Sequence, residues 1–290
     1  MARRAGHPCY YSPMLEHSEF EGVHYWKVAR SYFGKSLYTT GFYLLDEVLI
    51  DCGPPNARRQ LIPLFRDLPA KRILITHHHE DHTGNAAFLA RTRGLPVSGH
   101  RDGCGSLELI SRGIPFYRRV VWGVPDAFPY STAPESQETS KHLLQALETP
   151  GHSRDHLCFF VEKKGWLFTG DLYLSGYLRY LREDEDIHAL MYALRRMIQL
   201  KPRVIFCNHR GPVLDGEKAL GKKLAFLEQL RDRVMEGAGR GLSPEELARS
   251  LMKKDLFFRH FSGGEFSSLN LIRALVGSDR GAEIRGGSKN

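Results

Sequence analysis

The sequence predicts an α/β (α+β) fold: a β-rich body over residues 1–215, followed by a small helical appendage over residues 216–277. Three observations carry that reading. Early in the chain, short runs rich in β-branched and aromatic residues alternate with turn residues. Strand-like and helix-like runs then alternate as far as "PRVIFCNHRGP". Beyond Asp215 only helical patterns remain.

Taken in order, "HYWKVARSYF", "SLYTTGFYLL" and "EVLIDCG" read as hairpin strands between His24 and Asp51, closed by Gly53-Pro54-Pro55. A helix is expected near Ala57–Leu68, then a short buried strand in "KRILIT". "NAAFLARTRG" reads as a helix stopped by Gly94, and "LPVSGH" as the next strand. Residues 101–140 are irregular, with Gly, Pro and aromatics crowded into "GIPFYRRVVWGVPDAFPYS". Strand signals return in "LLQALETPGHS", "HLCFFVEKKGWLFTGD" and "PRVIFCNHRGP". Between the last two, Ile187, Leu190, Met191, Leu194, Met197 and Ile198 recur at helical spacing, a stripe that predicts core packing. The appendage holds three helical runs, "EKALGKKLAFLEQLRDRVMEG", "SPEELARSLMKK" and "SSLNLIRALVG". The second opens with Ser243 as N-cap, Pro244 at the first helical position and Glu246 completing a capping box. Residues 278–290 read as a disordered tail.

Composition narrows the class. A chain of 290 residues with 42% hydrophobic content suits one large domain with a small addition. The 41 basic against 33 acidic residues, a net charge of +8, favour anionic partners, whether a small charged metabolite or nucleic acid. No block of like charges marks a nucleic-acid arm. No apolar stretch approaches the roughly 18 residues needed to cross a bilayer, so no membrane association is expected. The start "MARRAGHPCYYSP" has no apolar run behind its arginines, which argues against a secretory signal. Five scattered cysteines (Cys9, Cys52, Cys104, Cys158, Cys207) read as reduced thiols, so a cytoplasmic location is expected. Homo-oligomer formation is left open.

The chemistry concentrates in "ITHHHEDHTG", Ile75 to Gly84, where four of ten letters are histidine. Its internal position and interleaved acids exclude a tag. His77 and His79, two apart at a strand end, point to one side, and Asp81 and His82 lie just beyond. Imidazoles and a carboxylate converging there suit zinc or a similar divalent ion. Later strand signals each end in a further ligand type: His152 in "TPGHS", Asp171 in "FTGD" and His209 in "NHRGP". Five histidines and two aspartates are too many for one tetrahedral ion and enough for two.

The order "LIDCG", "THHHEDHTG", "TPGHS", "FTGD", "NHRGP" resembles the metallo-β-lactamase superfamily over roughly residues 25–215. The resemblance implies an αββα sandwich with metal ions at one edge between two sheets. It implies His77, His79 and His152 on a first ion, Asp81, His82 and His209 on a second, and Asp171 bridging both. The ions would be zinc, with Mn2+ or Fe2+ as alternatives, and would share a hydroxide. Asp81 or Asp171 would take the proton in transit. His78 and Glu80 fall at non-ligand positions and would support the loop. Asp51 would orient a ligand histidine.

Departures refine the branch. True β-lactamases sharing this His and Asp set lack an equivalent of Asp171, and flavodiiron proteins carry Glu at the position of His79. Glyoxalase II proper ends its last motif differently. The insertion of mRNA-processing nucleases is absent, because only 37 residues separate Asp171 from His209. What remains resembles glyoxalase-like hydrolases with a helical C-terminal addition, a group that includes lactamase-beta-like endoribonucleases. The expected activity is hydrolysis of an ester or thioester of a small anionic substrate. Alternatives are endonucleolytic cleavage of RNA or DNA and an iron-dependent persulfide-type dioxygenase. Arg119 and Trp122 in "PFYRRVVWG", Tyr173 beside Asp171 and Arg210 beside His209 are the candidate substrate contacts.

Overall fold

The computed structural model describes residues 14–32, 35–103, 113–252 and 256–277. Among these, one sheet takes its seven strands in chain order: β1 (Met14–Phe20), β2 (Val23–Tyr32), β3 (Lys35–Leu45), β4 (Val48–Ile50), β5 (Arg72–Leu74), β6 (Val97–Gly99) and β7 (Ser131–Thr132). The pairs from β1 to β4 are antiparallel hairpins, and those from β4 to β7 are parallel. The parallel connections carry α1 (Arg58–Asp67), α2 (Glu80–Thr83), α3 (Ala86–Arg93) and α4 (Phe116–Val121). The second sheet is built from β8 (Ser136–Glu138), β9 (Leu143–Glu148), β10 (Leu157–Val161), β11 (Trp166–Gly170), β13 (Val204–Cys207) and β14 (Gly211–Leu214). Between its strands the chain forms β12 (Leu181–Arg182) and α5 (Ile187–Gln199), and after it α6 (Gly216–Gly239), α7 (Pro244–Leu251), α8 (Leu256–Phe261), β15 (Phe266–Ser267) and α9 (Ser268–Val276).

Strand alternation sorts the core into layers, because successive residues point to opposite faces. In β10, Leu157, Phe159 and Val161 face the other sheet, while Cys158 and Phe160 face helices. In β4, Val48 and Ile50 face the sheet interface and Leu49 faces out. The interface between sheets centres on Tyr43, whose ring meets Phe168 at 5.4 Å and Phe206 at 5.5 Å. Leu61 and Phe65 of α1 and Ala86 and Leu89 of α3 cover the first sheet. Leu190, Leu194 and Met197 of α5 cover the second, with Leu220 and Leu227 of α6 and Leu271 and Leu275 of α9. The result is an αββα sandwich in which strands buried on both faces read as continuous apolar runs. Among the described residues no helix is long and apolar enough to cross a membrane.

Three features differ from the sequence reading. β1 was not foreseen: as an edge strand it carries the exposed Glu16 and Glu19, a composition that looks like loop. Residues 216–277 are not helices alone, because β15 pairs with β12, and their apolar side chains join the cluster over the second sheet. The irregular stretch near residue 116 contains α4. Ser243 caps α7 with the capping box that its spacing implied. The tail at 278–290, Cys9 and Cys104 lie outside the described residues, while Cys52, Cys158 and Cys207 are buried free thiols.

Candidate metal centre

Both sheets present strand ends to one edge, and the chemistry-bearing residues sit there. β5 runs into Thr76, His77 and His79, and α2 carries Asp81 and His82. β11 ends directly before Asp171, β13 ends two residues before His209, and His152 lies in the turn between β9 and β10. Two motif glycines are required by close approach. A Cβ on Gly170, whose φ is +46°, would stand 2.7 Å from His156 Nε2, and one on Gly151 would strike the backbone of Leu190.

The structure brings all seven predicted ligands together. Potential ligand atoms of His77, His79 and His152 lie within 4.8 Å of one another, as do those of Asp81, His82 and His209. A third group of the same span, His77, His82 and Asp171, joins the two. Asp171 turns one oxygen to each side: Oδ2 is 3.2 Å from His152 Nε2, and Oδ1 is 3.1 Å from His209 Nε2 and 3.4 Å from His82 Nε2. Asp81 Oδ2 stands 3.5 Å from both His82 Nε2 and His209 Nε2. Ligand atoms about 2.0–2.1 Å from a tetrahedral zinc stand roughly 3.3–3.4 Å apart, so these spacings match the edges of such a site.

Hydrogen bonds at the far ring nitrogens fix which atoms face inward. His82 Nδ1 donates to Asp51 Oδ2 at 2.8 Å and His209 Nδ1 to the Thr39 carbonyl, and His152 Nδ1 stands 3.0 Å from Glu185 Oε1. In those tautomers each Nε2 turns a lone pair toward carboxylate oxygens. His82 Nε2, His209 Nε2 and Asp171 Oδ1 are buried and have no hydrogen-bond partner. Lone pairs facing lone pairs in a dry site call for a cation between them, so the donor set fits a metal.

Asp51 is the hub of this support. Its carboxylate accepts from the Thr76 amide and hydroxyl, both at 2.8 Å, from His82, and from Asn208 Nδ2 at 2.7 Å. It sits in the left-handed region, φ +59°, at the end of β4. Glu185, which holds His152, and His156 are supports that the sequence reading missed. His156 Nε2 accepts the Asp171 amide at 3.1 Å while its Nδ1 donates to Thr149 Oγ1, and burial pushes the ring down to about 3, so it stays neutral. The second histidine in "GHSRDH" was the available signal. His78 and Glu80 lie outside the ligand groups: His78 pairs with buried Asp155 at 2.8 Å, and buried Glu80 pairs with Arg118 at 2.7 Å.

Electrostatics divide the histidines. Burial lowers His77 and His79 well below the usual range, so both are neutral donors of lone pairs. Burial also opposes a charge on His82, but Asp81, Asp51 and Asp171 outweigh it and raise the ring well above its usual value. For Asp171 burial works upward, and His209, His82 and His152 overcome it, holding the carboxylate ionised. Without a metal, a proton is what this acid cage draws in its place.

Residues 43–209 match the Metallo-beta-lactamase superfamily. The chain belongs to that superfamily. It is similar to thioesterase pkgB of Emericella nidulans, with 30% identity over 65% of this chain and 51% of that protein. It is 28% identical, over 75% of this chain and 50% of that protein, to an atrochrysone carboxyl ACP thioesterase of Aspergillus fumigatus. The chain thus spans about half the length of these curated relatives. A metallo-beta-lactamase family protein of Thermus thermophilus shares the fold, with TM-score 0.65 and 24% identity over 91% of this chain and 95% of that one. TTHA1623, solved in a di-iron-bound form, matches with TM-score 0.52 and 28% identity over 63% of this chain and 94% of that one.

Beside the cluster this superfamily member has an open cavity of about 210 Å³ that reaches His79, Asp81, His152, Asp171 and His209. Its walls are chiefly apolar and come from distant segments: Tyr38, Trp122 after α4, Leu174 and Leu178, and Phe261 and Phe266 near the C-terminus. Tyr117 meets Phe261 at 6.0 Å and Tyr180 meets Phe266 at 5.2 Å, closing the wall. Of the four predicted substrate contacts, Trp122 lines the cavity, its ring 6.4 Å from that of His209. Arg119 and Arg210 are exposed and are not among the lining residues. Tyr173 is packed into the cluster over the second sheet instead. The helical face of α4 explains the exchange, since Arg118, one position earlier, turns inward to Glu80 and Arg119 turns to solvent.

Proposed function

We propose that the chain is a hydrolase that holds two divalent ions and cleaves the ester or thioester bond of a small anionic substrate. The observation that carries this reading is the pair of groups His77–His79–His152 and Asp81–His82–His209, with one oxygen of Asp171 toward each. Bound ions, zinc first and manganese or iron as alternatives, would supply hydroxide at neutral pH and counter-charge for an oxyanion. Asp81 and Asp171 are the ionised carboxylates placed to take up a proton beside the reacting carbonyl. Asp51 and Glu185 keep His82 and His152 aimed. The aromatic wall offers an apolar seat for an acyl group. A space of about 210 Å³ suits a compact acyl group better than a polyanion, which needs an extended basic track. The thioesterase names of two relatives support the same choice.

The test is a screen of metal-loaded protein against acyl thioesters, lactones and short RNA, with elemental analysis of the same sample. Thioester or ester turnover and about two ions per chain are expected. RNA cleavage that falls steeply with salt and is unmatched by any ester would move the reading to an endonuclease. One iron per chain with persulfide oxidation would move it to a dioxygenase.

A further inference from the structure

Three cations line the cavity, the half-buried Arg118 and the buried Arg182 and Lys223, and the first two are already paired. Arg118 pairs with Glu80 at 2.7 Å, and Arg182 pairs with Asp184 at 2.8 Å and Glu185 at 3.6 Å. Lys223, on the first turns of α6, is different. It is 1% exposed and its Nζ donates to the Leu172 carbonyl at 2.6 Å; Glu185 and Asp171 act on it electrostatically, but no carboxylate of the described residues is within ion-pair distance. One bond to a neutral carbonyl uses one of three N–H groups and does not offset the cost of burying an ammonium. The same cavity is walled by Trp122, Leu174, Leu178, Phe261 and Phe266. A dry apolar cavity of about 150 Å³ holds benzene, so about 210 Å³ admits a substituted ring.

We propose that Lys223 is the specificity residue of the cavity and binds a carboxylate carried on the acyl part of the substrate. This rests on the hydrolase reading above, and it names the substrate class as an aromatic or branched apolar acyl group bearing a second carboxyl. The reacting carbonyl would lie at the ligand cluster and the free carboxylate at Lys223, whose Nζ sits on the Leu172 carbonyl beside Asp171. The other role open to Lys223 is structural, holding the Leu172 carbonyl and through it the position of Asp171.

The experiment separates the two roles. Lys223→Met removes the charge and the donor, whereas Lys223→Gln keeps a donor for the Leu172 carbonyl without the charge. Each is compared with native, metal-loaded protein on the N-acetylcysteamine thioester of benzoate and the monothioester of isophthalate. Native protein should prefer the carboxylated thioester. Both variants should lose about tenfold or more of that preference, mostly through KM, whatever each loses on the neutral thioester. Equilibrium binding of 3-carbamoylbenzoate against benzamide, by calorimetry, gives the same charged-against-neutral comparison without turnover. A preference unchanged in both variants, equal losses on both thioesters, or full rescue by Lys223→Gln would overturn the proposal. If neither thioester is cleaved but 3-carbamoylbenzoate binds tighter than benzamide only when Lys223 is present, the hydrolase reading falls and the carboxylate site stands.

Discussion

His82, His209 and His152 are each held at the nitrogen away from the cluster, by Asp51, the Thr39 carbonyl and Glu185. The wall facing them is held otherwise: Tyr117 on Phe261, Tyr180 on Phe266 and Tyr38 on Trp122 meet as rings 5.2–6.0 Å apart. The floor is directional and charge-assisted, so every atom has one permitted position. The wall is apolar packing, which tolerates exchange of shape at constant volume. The comparison teaches that reaction type and substrate choice are stored in different interactions. The first is fixed by geometry within a few tenths of an ångström, and the second can drift while the chemistry stays in place.

The sharpest way to break that comparison is at the floor. Asp171→Ala, which takes both carboxylate oxygens away, should lose bound metal and reduce turnover by at least about a thousandfold. His79→Ala should behave alike. His78→Ala should keep its metal and instead lose about 1–3 kcal/mol of stability, because it leaves buried Asp155 without its partner. Metal loss from His78→Ala equal to that from His79→Ala, by elemental analysis, would show that the floor is wrongly assigned.

Asp51→Ala touches no ion, yet removes the acceptor of four hydrogen bonds. Metal affinity should fall about 10–100-fold, measured by competition with a chromophoric chelator. Unchanged affinity would mean that Thr76 and Asn208 alone orient His82.

Chelation should expose the charge balance of the floor. Against burial, Asp81, Asp51 and Asp171 raise His82, and against burial Asp171 and Asp81 raise His209. A histidine raised on folding adds stability that is complete below its unfolded pKa, about 6.5, and is lost as pH climbs through the folded value. The Tm of chelated protein should therefore fall from pH 6 to pH 9 more steeply than that of loaded protein. Parallel slopes in the two thermal scans would contradict it.

At the wall the effects should be smaller. Phe266→Ala should raise KM about three- to tenfold with metal content unchanged, since it removes ring area without touching the cluster. Arg119→Ala, on the solvent side of α4, should leave kcat and KM within about twofold. A large KM change there would bring Arg119 back as a substrate contact.

Much of the floor was legible in the chain. A ligand at a strand end beside glycine has its backbone position set by local geometry, which is why "THHHEDHTG", "TPGHS", "FTGD" and "NHRGP" could be read before any fold was known. The wall was not legible. Arg118 and Arg119 are neighbours of one type, and only the seating of α4 against Glu80 decides which turns inward. Lys223 lies in "LGKKLA", which reads as a solvated helical face, and α8 with the two-residue β15 is too short to show a period.

The sequence alone determined the alternation of strands and helices and the order in which strand ends deliver the candidate ligands, because each motif depends on spacing within about a dozen residues. The αββα layering was implied by the family resemblance. Only the tertiary structure decided what steadies those ligands and what surrounds them. Asn208 reaches Asp51 across 157 positions, and His209 reaches Thr39 across 170. Contacts at that separation exist once two sheets have stacked and the C-terminal segment has paired β15 with β12, and no local pattern encodes them.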